Sequence, residues 1–183
     1  MILSDLIGSD WSLFLDRDGV INRRIEGDYV RRWNQFEFLP GVLESMNKIA
    51  TVFRRILIVS NQQGISKGLM TDENVQQIHM QMQKEIEIAG GRIDAVLYCG
   101  DSSDDQSFFR KPNIGMALQA RKLFPEIRFK KSIMVGDSLS DMIFGKKLGM
   151  KTVFLSADLL RIRRAHKTIN YVYEDLKTFA EYL

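Results

Sequence analysis

The 183-residue chain has one cysteine, Cys99, and only two histidines, His79 and His166. A single cysteine excludes an internal disulfide. Together with the two histidines it also excludes a metal site built from several cysteines or from three histidines. This low thiol content is typical of proteins from a reducing compartment, so we predict a cytoplasmic location.

No apolar run comes near the roughly 18 residues that a membrane-spanning helix requires, so no membrane association is expected. The first eleven residues have no basic stretch and are interrupted by Asp5 and Asp10, so no secretory signal is expected. Apolar residues make up 45% of the chain and charged residues 27%, with a net charge of +3. These values exclude disordered and fibrous classes. The small positive excess suits a small anionic substrate and is too weak to indicate nucleic-acid binding by itself.

The chain has the length of one domain and no repeat or linker, so we predict a single domain over residues 1–183. Short apolar runs predict strands at residues 11–15, 56–59, 95–98, 133–135, 152–155 and 171–173. Amphipathic stretches between them predict helices at 41–50, 72–89, 114–124, 139–148 and 175–182. Because strands that are apolar on both faces are typical of covered parallel sheets, we predict an α/β protein. Its fold is a three-layer α/β/α, Rossmann-like arrangement with a central parallel sheet.

The helix predicted over 72–89 has a clear apolar face. Val75, Ile78 and Met82 recur on it at a spacing of three to four residues. Thr71 precedes this helix and is a favourable N-cap residue. His79 is predicted to lie on the surface.

Residues that can carry chemistry follow the ends of several predicted strands. Asp16 and Asp18 follow the first strand, Ser60 the second and Asp137 the fourth, while Lys111 precedes a predicted helix. Ligands of parallel α/β sheets bind at the carboxyl ends of the strands. We therefore expect these side chains to line one crevice.

The pair Asp16 and Asp18 predicts a cation site. Residues two apart on an extended segment face the same way, and two close carboxylates need a cation or a shared proton. A hard divalent cation with oxygen ligands, Mg²⁺ above all, fits best, and Asp137 could complete its ligands. A turn or a helix cap is the alternative for such an acidic pair, and these residues alone leave it open.

The remaining polar groups suit a phosphoryl group. Ser60 and Asn61 could hold phosphoryl oxygens, although taken alone these two residues fit an ordinary turn better. Lys111 is a compact charge for a phosphoryl group or a nucleophilic carboxylate, and Arg110 can clamp phosphate. A solvated surface pair is the alternative for these two. Asp141 is expected to brace the loop or the water shell of the metal, unless it is only an acid at a helix start.

The order of these groups resembles the haloacid dehalogenase (HAD) superfamily of aspartate-nucleophile phosphatases. Residues 16–22, with the sequence DRDGVIN, resemble its first motif. Ser60, Lys111 and Gly136-Asp137 with Asp141 resemble the second, third and fourth motifs. One branch is closer still, the D-glycero-D-manno-heptose 1,7-bisphosphate phosphatases, with histidinol-phosphate phosphatases as near relatives. The similar stretches are residues 28–30, 36–38, 60–65 and 110–112.

The resemblance implies a mechanism. Asp16 would attack phosphorus and form an aspartyl-phosphate, and Asp18 would protonate the leaving oxygen. Mg²⁺ would be held by Asp16, the backbone carbonyl of Asp18 and Asp137. Ser60 and Lys111 would hold the phosphoryl oxygens. The residues expected to bind substrate are Asn61, Arg110, Asp28, Tyr29 and Gln62.

The chain also departs from the pattern of the family that it resembles. The gaps between the motifs leave no room for an inserted cap domain. Relatives often carry a structural zinc loop of three cysteines and a histidine before Arg-Lys-Pro. Residues 99–109 contain one cysteine and no histidine, so we expect no structural zinc. We expect packing of Phe108 and Phe109 to order this loop. Ser138 stands where the heptose enzymes carry a lysine.

The leading hypothesis is a Mg²⁺-dependent phosphatase of a small phosphorylated metabolite, above all a sugar phosphate such as heptose 1,7-bisphosphate. The alternatives are a histidinol-phosphate phosphatase, a nucleotide or polynucleotide-end phosphatase, and a non-catalytic phospho-accepting module. The basic residues 161–167 would serve a nucleic-acid substrate. The second acid, Asp18, argues against a non-catalytic module. The patterns predict no particular oligomeric state.

Overall fold

The centre of the structure is a parallel sheet of six strands. The structure is a computed structural model that describes residues 5, 7–158, 160, 162–163 and 166–183. The strands are β1 (Ser12–Leu15), β2 (Arg55–Asn61), β3 (Ala95–Cys99), β4 (Ser132–Gly136), β5 (Lys151–Leu155) and β6 (Tyr171–Tyr173). Their order across the sheet is β3-β2-β1-β4-β5-β6, and all neighbouring strands are parallel.

Helices cover both faces of this sheet. They are α1 (Val42–Val52), α2 (Asp72–Ile88), α3 (Gly115–Leu123), α4 (Leu139–Lys147) and α5 (Leu176–Glu181). Thr71 is the N-cap of α2, as predicted, and accepts a hydrogen bond from the Asn74 backbone. Within the described part of the chain, no helix is long and apolar enough to span a membrane.

Alternate residues of β1 to β4 contribute to two separate hydrophobic cores. Leu13 and Leu15 pack with α1, α2 and α5 on one face of the sheet. Phe14, between them, packs with α3 and α4 on the other face. This is the side-chain period of two that a strand imposes. The predicted three-layer α/β/α fold with a parallel sheet is confirmed.

The topology places the ends of three strands next to one another. β1 lies between β2 and β4, with Leu15 paired in register with Ile58 and with Val135. The chain builds β2 and β3 on one side of β1 and then crosses to build β4 to β6 on the other. Such a switch point leaves a crevice at the carboxyl ends of the strands, where ligands of these folds bind.

The loop between β3 and α3 is not ordered as predicted. Phe108 and Phe109 are 54% and 46% exposed, and their rings contact each other with centroids 5.7 Å apart. Exposed rings cannot anchor the loop, so the predicted role of their packing is wrong. Hydrogen bonds tie the loop instead, among them one of 3.0 Å from the Arg110 guanidinium to the Asp101 carbonyl.

The close packing of α4 on the sheet depends on Gly145. A β-carbon at this position would lie 2.8 Å from Thr152 Cγ2 and 2.9 Å from Met134 Cβ. We expect Gly145→Ala to lower the free energy of unfolding by about 1–3 kcal/mol, because the helix must move off the sheet. Urea denaturation measures this. The exposed Lys146→Ala is the matched control, with an expected change of about 0.5 kcal/mol or less. Equal losses in both variants would contradict the explanation.

Candidate active site

The carboxyl ends of β1 and β2 open into a cavity of about 440 Å³. Seven of the predicted site residues line it: Asp16, Asp18, Asp28, Tyr29, Asn61, Arg110 and Lys111. The other four are buried: Ser60, Gln62, Asp137 and Asp141. The structure therefore brings the predicted residues to one place, although several side chains are used differently from the prediction.

The turn after β1 brings the first motif to this place. The backbone N–H of Ile21 donates to the Arg17 carbonyl at 2.8 Å, and that of Gly19 to the Asn22 carbonyl at 2.7 Å. Gly19 has a φ of 88°, and a β-carbon there would collide with the Asp137 carboxylate. Only glycine fits, both for its backbone conformation and for this contact.

Lys111 is at the centre of a buried charge cluster. Its ammonium lies 2.9 Å from Asp16 Oδ1 and 2.6 Å from Asp141 Oδ1, and it donates to the Val59 carbonyl at 2.6 Å. Asn61 fixes the Lys111 backbone from both sides. Its amide donates to the Lys111 carbonyl at 3.0 Å and its oxygen accepts from the Lys111 N–H at 2.9 Å. The Asn61 side chain thus positions Lys111, a use that the sequence did not predict.

Asp141 braces this cluster from the start of α4. The Ser138 hydroxyl donates to Asp141 Oδ2 at 2.6 Å, and the Ser138 backbone N–H donates to the same oxygen at 3.1 Å. These contacts belong to a capping box at the helix N-terminus. One carboxylate therefore caps α4 through one oxygen and pairs with Lys111 through the other.

The cluster carries more negative charge than Lys111 neutralises. Burial raises the pKa of Asp16 to about 7, and repulsion from Asp141 and Asp137 adds to this while Lys111 opposes it. Burial acts to lower the pKa of Lys111, but attraction from Asp141 and Asp16 outweighs it, so the pKa is raised. The lysine stays charged, and a further cation would stabilise the ionised carboxylates.

The oxygen atoms predicted to hold a metal converge on one cationic group. Arg24 Nη2 lies 2.7 Å from Asp137 Oδ1, 2.9 Å from the Asp18 carbonyl and 3.9 Å from Asp16 Oδ2. Carboxylate oxygens of Asp16, Asp137 and Asp141 also lie within 4.8 Å of one another. These groups can hold a metal ion, and an all-oxygen set suits a hard divalent cation. The guanidinium of Arg24 stands in for such a cation.

Asp18 is held by a buried hydrogen-bond network centred on Arg17, whose side chain is fully buried. Arg17 Nη2 donates to Asp18 Oδ1 at 3.0 Å and to Gln62 Oε1 at 3.2 Å, and Asn22 donates to the same Asp18 oxygen at 2.9 Å. Burial acts to raise the pKa of Asp18, but the Arg17 charge and the hydrogen bonds outweigh it and lower the pKa.

Gln62 and Ser60 belong to the same network. The Gln62 amide donates to Asp18 Oδ2 at 2.9 Å and to the Ser60 hydroxyl oxygen at 2.8 Å. Gln62 is 1% exposed and does not line the cavity. In this structure it orients Asp18 and Ser60 instead of facing the space for a substrate.

The prediction that His79 lies on the surface is wrong. His79 is 4% exposed, its Nε2 lies 3.0 Å from Arg17 Nη1, and its ring packs edge-on against Tyr98. Burial, and then the charge of Arg17, lowers the pKa of His79 to about 3. The neutral ring accepts a hydrogen bond from Arg17 through Nε2. A signal was present: Val75 and Met82, four and three residues away, mark the apolar face of this helix.

The outer part of the cavity is cationic and aromatic. Asp28 is paired with Arg31 at 2.6 Å, which occupies its carboxylate. Tyr29 lies beneath the ammonium of Lys67, which is 5.3 Å from the ring centroid. Lys67 and Arg110 both line the cavity and bring positive charge to it.

Comparison with known proteins places the chain among phosphatases, as the arrangement of the site suggests. A family model described as polynucleotide kinase 3 phosphatase matches residues 13–174. The chain belongs to this phosphatase family. It is therefore an enzyme, a phosphatase of the HAD type, and the resemblance seen in its motifs is confirmed.

Relatives of the phosphatase carry more specific names. It is 41% identical over 141 residues to D-glycero-alpha-D-manno-heptose-1,7-bisphosphate 7-phosphatase of Mycobacterium bovis, covering 77% of this chain and 74% of the relative. It is 32% identical over 151 residues to the corresponding beta-heptose enzyme of Helicobacter pylori, covering 82% and 85%. A crystal structure of D,D-heptose 1,7-bisphosphate phosphatase from B. bronchiseptica, complexed with magnesium and phosphate, is similar with a TM-score of 0.83. That enzyme is 27% identical, over 93% of this chain and 96% of the other.

Replacement of Arg24 is expected to strengthen metal binding. Arg24→Ala removes the cation that competes for Asp137 and the Asp18 carbonyl. Hydrogen bonds to charged groups contribute about 1.5–3 kcal/mol, so Mg²⁺ should bind roughly tenfold or more tightly. Isothermal titration of the metal-free phosphatase with Mg²⁺ measures this. Arg23→Ala is the matched control, because Arg23 is exposed and paired with Glu37. An unchanged or weaker Mg²⁺ affinity in Arg24→Ala would contradict the interpretation.

The buried His79 is expected to make stability depend on pH. Its pKa falls from 6.5 to about 3 on folding, so between these values the unfolded chain binds a proton that the folded chain does not. The stabilisation is complete above about pH 6.5 and is lost as the pH falls toward 3. The free energy of unfolding of the wild type should fall by about 2 kcal/mol more than that of His79→Gln between about pH 7 and pH 5. Parallel losses in urea denaturation would show that His79 titrates normally.

Proposed function

We propose that the phosphatase removes the 7-phosphate of a D-glycero-D-manno-heptose 1,7-bisphosphate, with Mg²⁺ as cofactor and an aspartyl-phosphate intermediate. The observation that carries the proposal is the ion pair between Asp16 and the buried Lys111, in a cavity that Asp18 also lines. A carboxylate that is fixed by a cation and followed two residues later by a second acid suits nucleophilic catalysis with a general acid.

Asp16 is the nucleophile in the first step. Its carboxylate oxygen forms a bond to phosphorus, and the bond between phosphorus and the sugar oxygen breaks. The sugar oxygen keeps the electron pair and takes a proton from Asp18, so a neutral alcohol leaves. The Lys111 ammonium orients Asp16 and offsets the charge of the phosphoryl oxygens. When bound, Mg²⁺ would be held by Asp16, Asp137 and the Asp18 carbonyl and would neutralise phosphoryl charge.

Asp18 is the base in the second step. A water molecule gives a proton to Asp18, attacks phosphorus and displaces the Asp16 carboxylate, which releases inorganic phosphate. Asp18 then carries the proton needed for the next turnover. Hydrogen bonds from Arg17, Asn22 and Gln62 to the Asp18 carboxylate lower its pKa. They favour the ionised form with which this step begins, and they make the protonated form used in the first step a stronger acid.

Positive charge on the cavity supports a substrate with two phosphates. Ser138, where the heptose enzymes are expected to carry lysine, leaves the fourth motif without a cation there. Lys67 and Arg110 line the same cavity and supply cations for the phosphate that does not react. The named relatives, which act on heptose 1,7-bisphosphates, support the same substrate class.

Phosphate release in the presence of Mg²⁺ tests the proposal. The substrates are the α and β anomers of heptose 1,7-bisphosphate, histidinol phosphate, nucleotides and an oligonucleotide with a 3′-phosphate. We expect one heptose bisphosphate to be preferred, with a kcat/KM above about 10⁴ M⁻¹s⁻¹. Phosphorus NMR should show loss of the 7-phosphate. Asp16→Asn should lower the kcat for phosphate release at least about 10³-fold, because it removes the nucleophile.

The same panel separates the other candidates. Preference for the 3′-phosphorylated oligonucleotide, with steeply salt-dependent binding, would favour a polynucleotide-end phosphatase, as the description of the matching family model suggests. The basic residues 161–167 lie partly outside the described residues, so this patch carries no structural argument. Comparable turnover of all substrates would contradict the heptose assignment. The absence of structural zinc, the single domain and the cytoplasmic location stay predictions.

A further inference from the structure

Three buried side chains lie behind Asp18, on the side away from the cavity: Arg17, Gln62 and His79. His79 projects from α2, a helix that supplies none of the motif residues. Its Nε2 lies 3.0 Å from Arg17 Nη1, while Arg17 Nη2 contacts Asp18 at 3.0 Å. The imidazole is therefore connected to Asp18 through a single guanidinium group.

The orientation of that guanidinium depends on two anchors. Arg17 Nη2 is held by Asp18 and Gln62, and Nη1 is held by His79. Arg17 Nε, also buried, has no hydrogen-bond partner within the described structure. Because a guanidinium is a rigid planar fork, anchors on two of its nitrogen atoms define its plane. Loss of the Nη1 anchor would leave Nη2 as a pivot, so that Asp18 is held less firmly.

His79 is itself well fixed. Its ring packs edge-on against Tyr98 with centroids 5.2 Å apart, and the Tyr98 hydroxyl donates to Asp72 at 2.8 Å. A neutral imidazole whose Nε2 carries no hydrogen is the form that can accept from Arg17. The histidine thus holds its acceptor atom, Nε2, in a fixed position. Because the ring is neutral, it does not repel the Arg17 guanidinium.

We propose that His79 is a positioning residue for phosphoryl transfer: it anchors Arg17 so that Arg17 holds the carboxyl of Asp18 where it can protonate the leaving oxygen. The proposal rests on the proposed function, because that function assigns the acid role to Asp18. It adds a residue on α2 that acts through Arg17 and does not touch the substrate.

Leaving groups of different acidity provide the test. The ratio kcat/KM covers the steps up to departure of the leaving group. A sugar alkoxide needs protonation, whereas p-nitrophenolate leaves without it. We expect His79→Leu to lower kcat/KM about 10–100-fold for heptose 1,7-bisphosphate and less than about threefold for p-nitrophenyl phosphate. If the panel selects a different alkyl phosphate, that compound replaces the heptose. Equal losses on both substrates, or no loss, would overturn the proposal.

Two further variants make the result decisive. His79→Gln keeps an oxygen acceptor and should restore kcat/KM for the sugar phosphate to within about threefold of the wild type. Failure of this rescue, with a folded variant by circular dichroism, would count against the anchor. Asp18→Asn should lose more activity on the sugar phosphate than on p-nitrophenyl phosphate. If it does not, the acid role in the proposed function fails. If only Asp18→Asn shows the difference, the proposal for His79 alone fails.

Nitrogen NMR of the metal-free phosphatase gives a readout that needs no turnover. We expect His79 at neutral pH to show an unprotonated Nε2 that accepts a hydrogen bond, with Nδ1 protonated. In the Arg17→Lys variant, the Nε2 signal of His79 should shift, because the guanidinium that donates to Nε2 has been replaced. A protonated Nε2 in the wild type, or a signal that is indifferent to Arg17→Lys, would overturn the proposed anchor.

Discussion

The buried ion cluster around Lys111 is the constraint on which the rest of the site depends. An ammonium without exposure to water must be surrounded by acceptors, and here it has Asp16, Asp141 and the Val59 carbonyl. Those acceptors come from the ends of β1 and β2 and the start of α4. The cluster therefore fixes three elements relative to one another, and in doing so it fixes Asp16, the proposed nucleophile. Removal of one member would leave its charged partners buried and unpaired. The resulting loss of stability is larger than the net stability that the intact ion pair contributes.

A second principle of the site is that the residues at its centre are held in place by hydrogen bonds from neighbouring polar side chains. Among these neighbours, Asn61 and Ser138 also line the cavity, whereas Gln62 does not. Asn61 holds the backbone of Lys111, Ser138 holds Asp141, and Gln62 holds Asp18. A group that must develop or lose charge in a fixed place works best when its orientation is set in advance. A polar residue that follows a strand end can thus orient its neighbours whether it lines the cavity, as Asn61 does, or is buried behind it, as Gln62 is.

Much of the fold and part of the site could be predicted from the sequence. Strands that are apolar on both faces indicate a covered parallel sheet, and the ends of such strands indicate where the acids gather, so Asp16 and Asp137 could be placed together. The uses of Asn61, Arg24 and His79 could not be predicted in this way, because each depends on a partner distant in sequence. A sequence motif indicates which site a residue belongs to, but it does not indicate which group that residue forms a hydrogen bond with. For His79 the helical period indicated that the side chain is buried, although not that it contacts Arg17, and the polar character of the residue obscured this.

The position of Arg24 has a consequence for how the site would bind a divalent metal ion. Three buried carboxylates, those of Asp16, Asp137 and Asp141, face two monovalent cations, Lys111 and Arg24. Exchange of the guanidinium for a divalent ion would make the positive charge equal to the negative. Metal uptake would then be an ion exchange in which the carboxylates of Asp16 and Asp137 stay in place and the long side chain of Arg24 moves away. Because Arg24 lines the same cavity, the displaced guanidinium would remain within reach of an incoming anion.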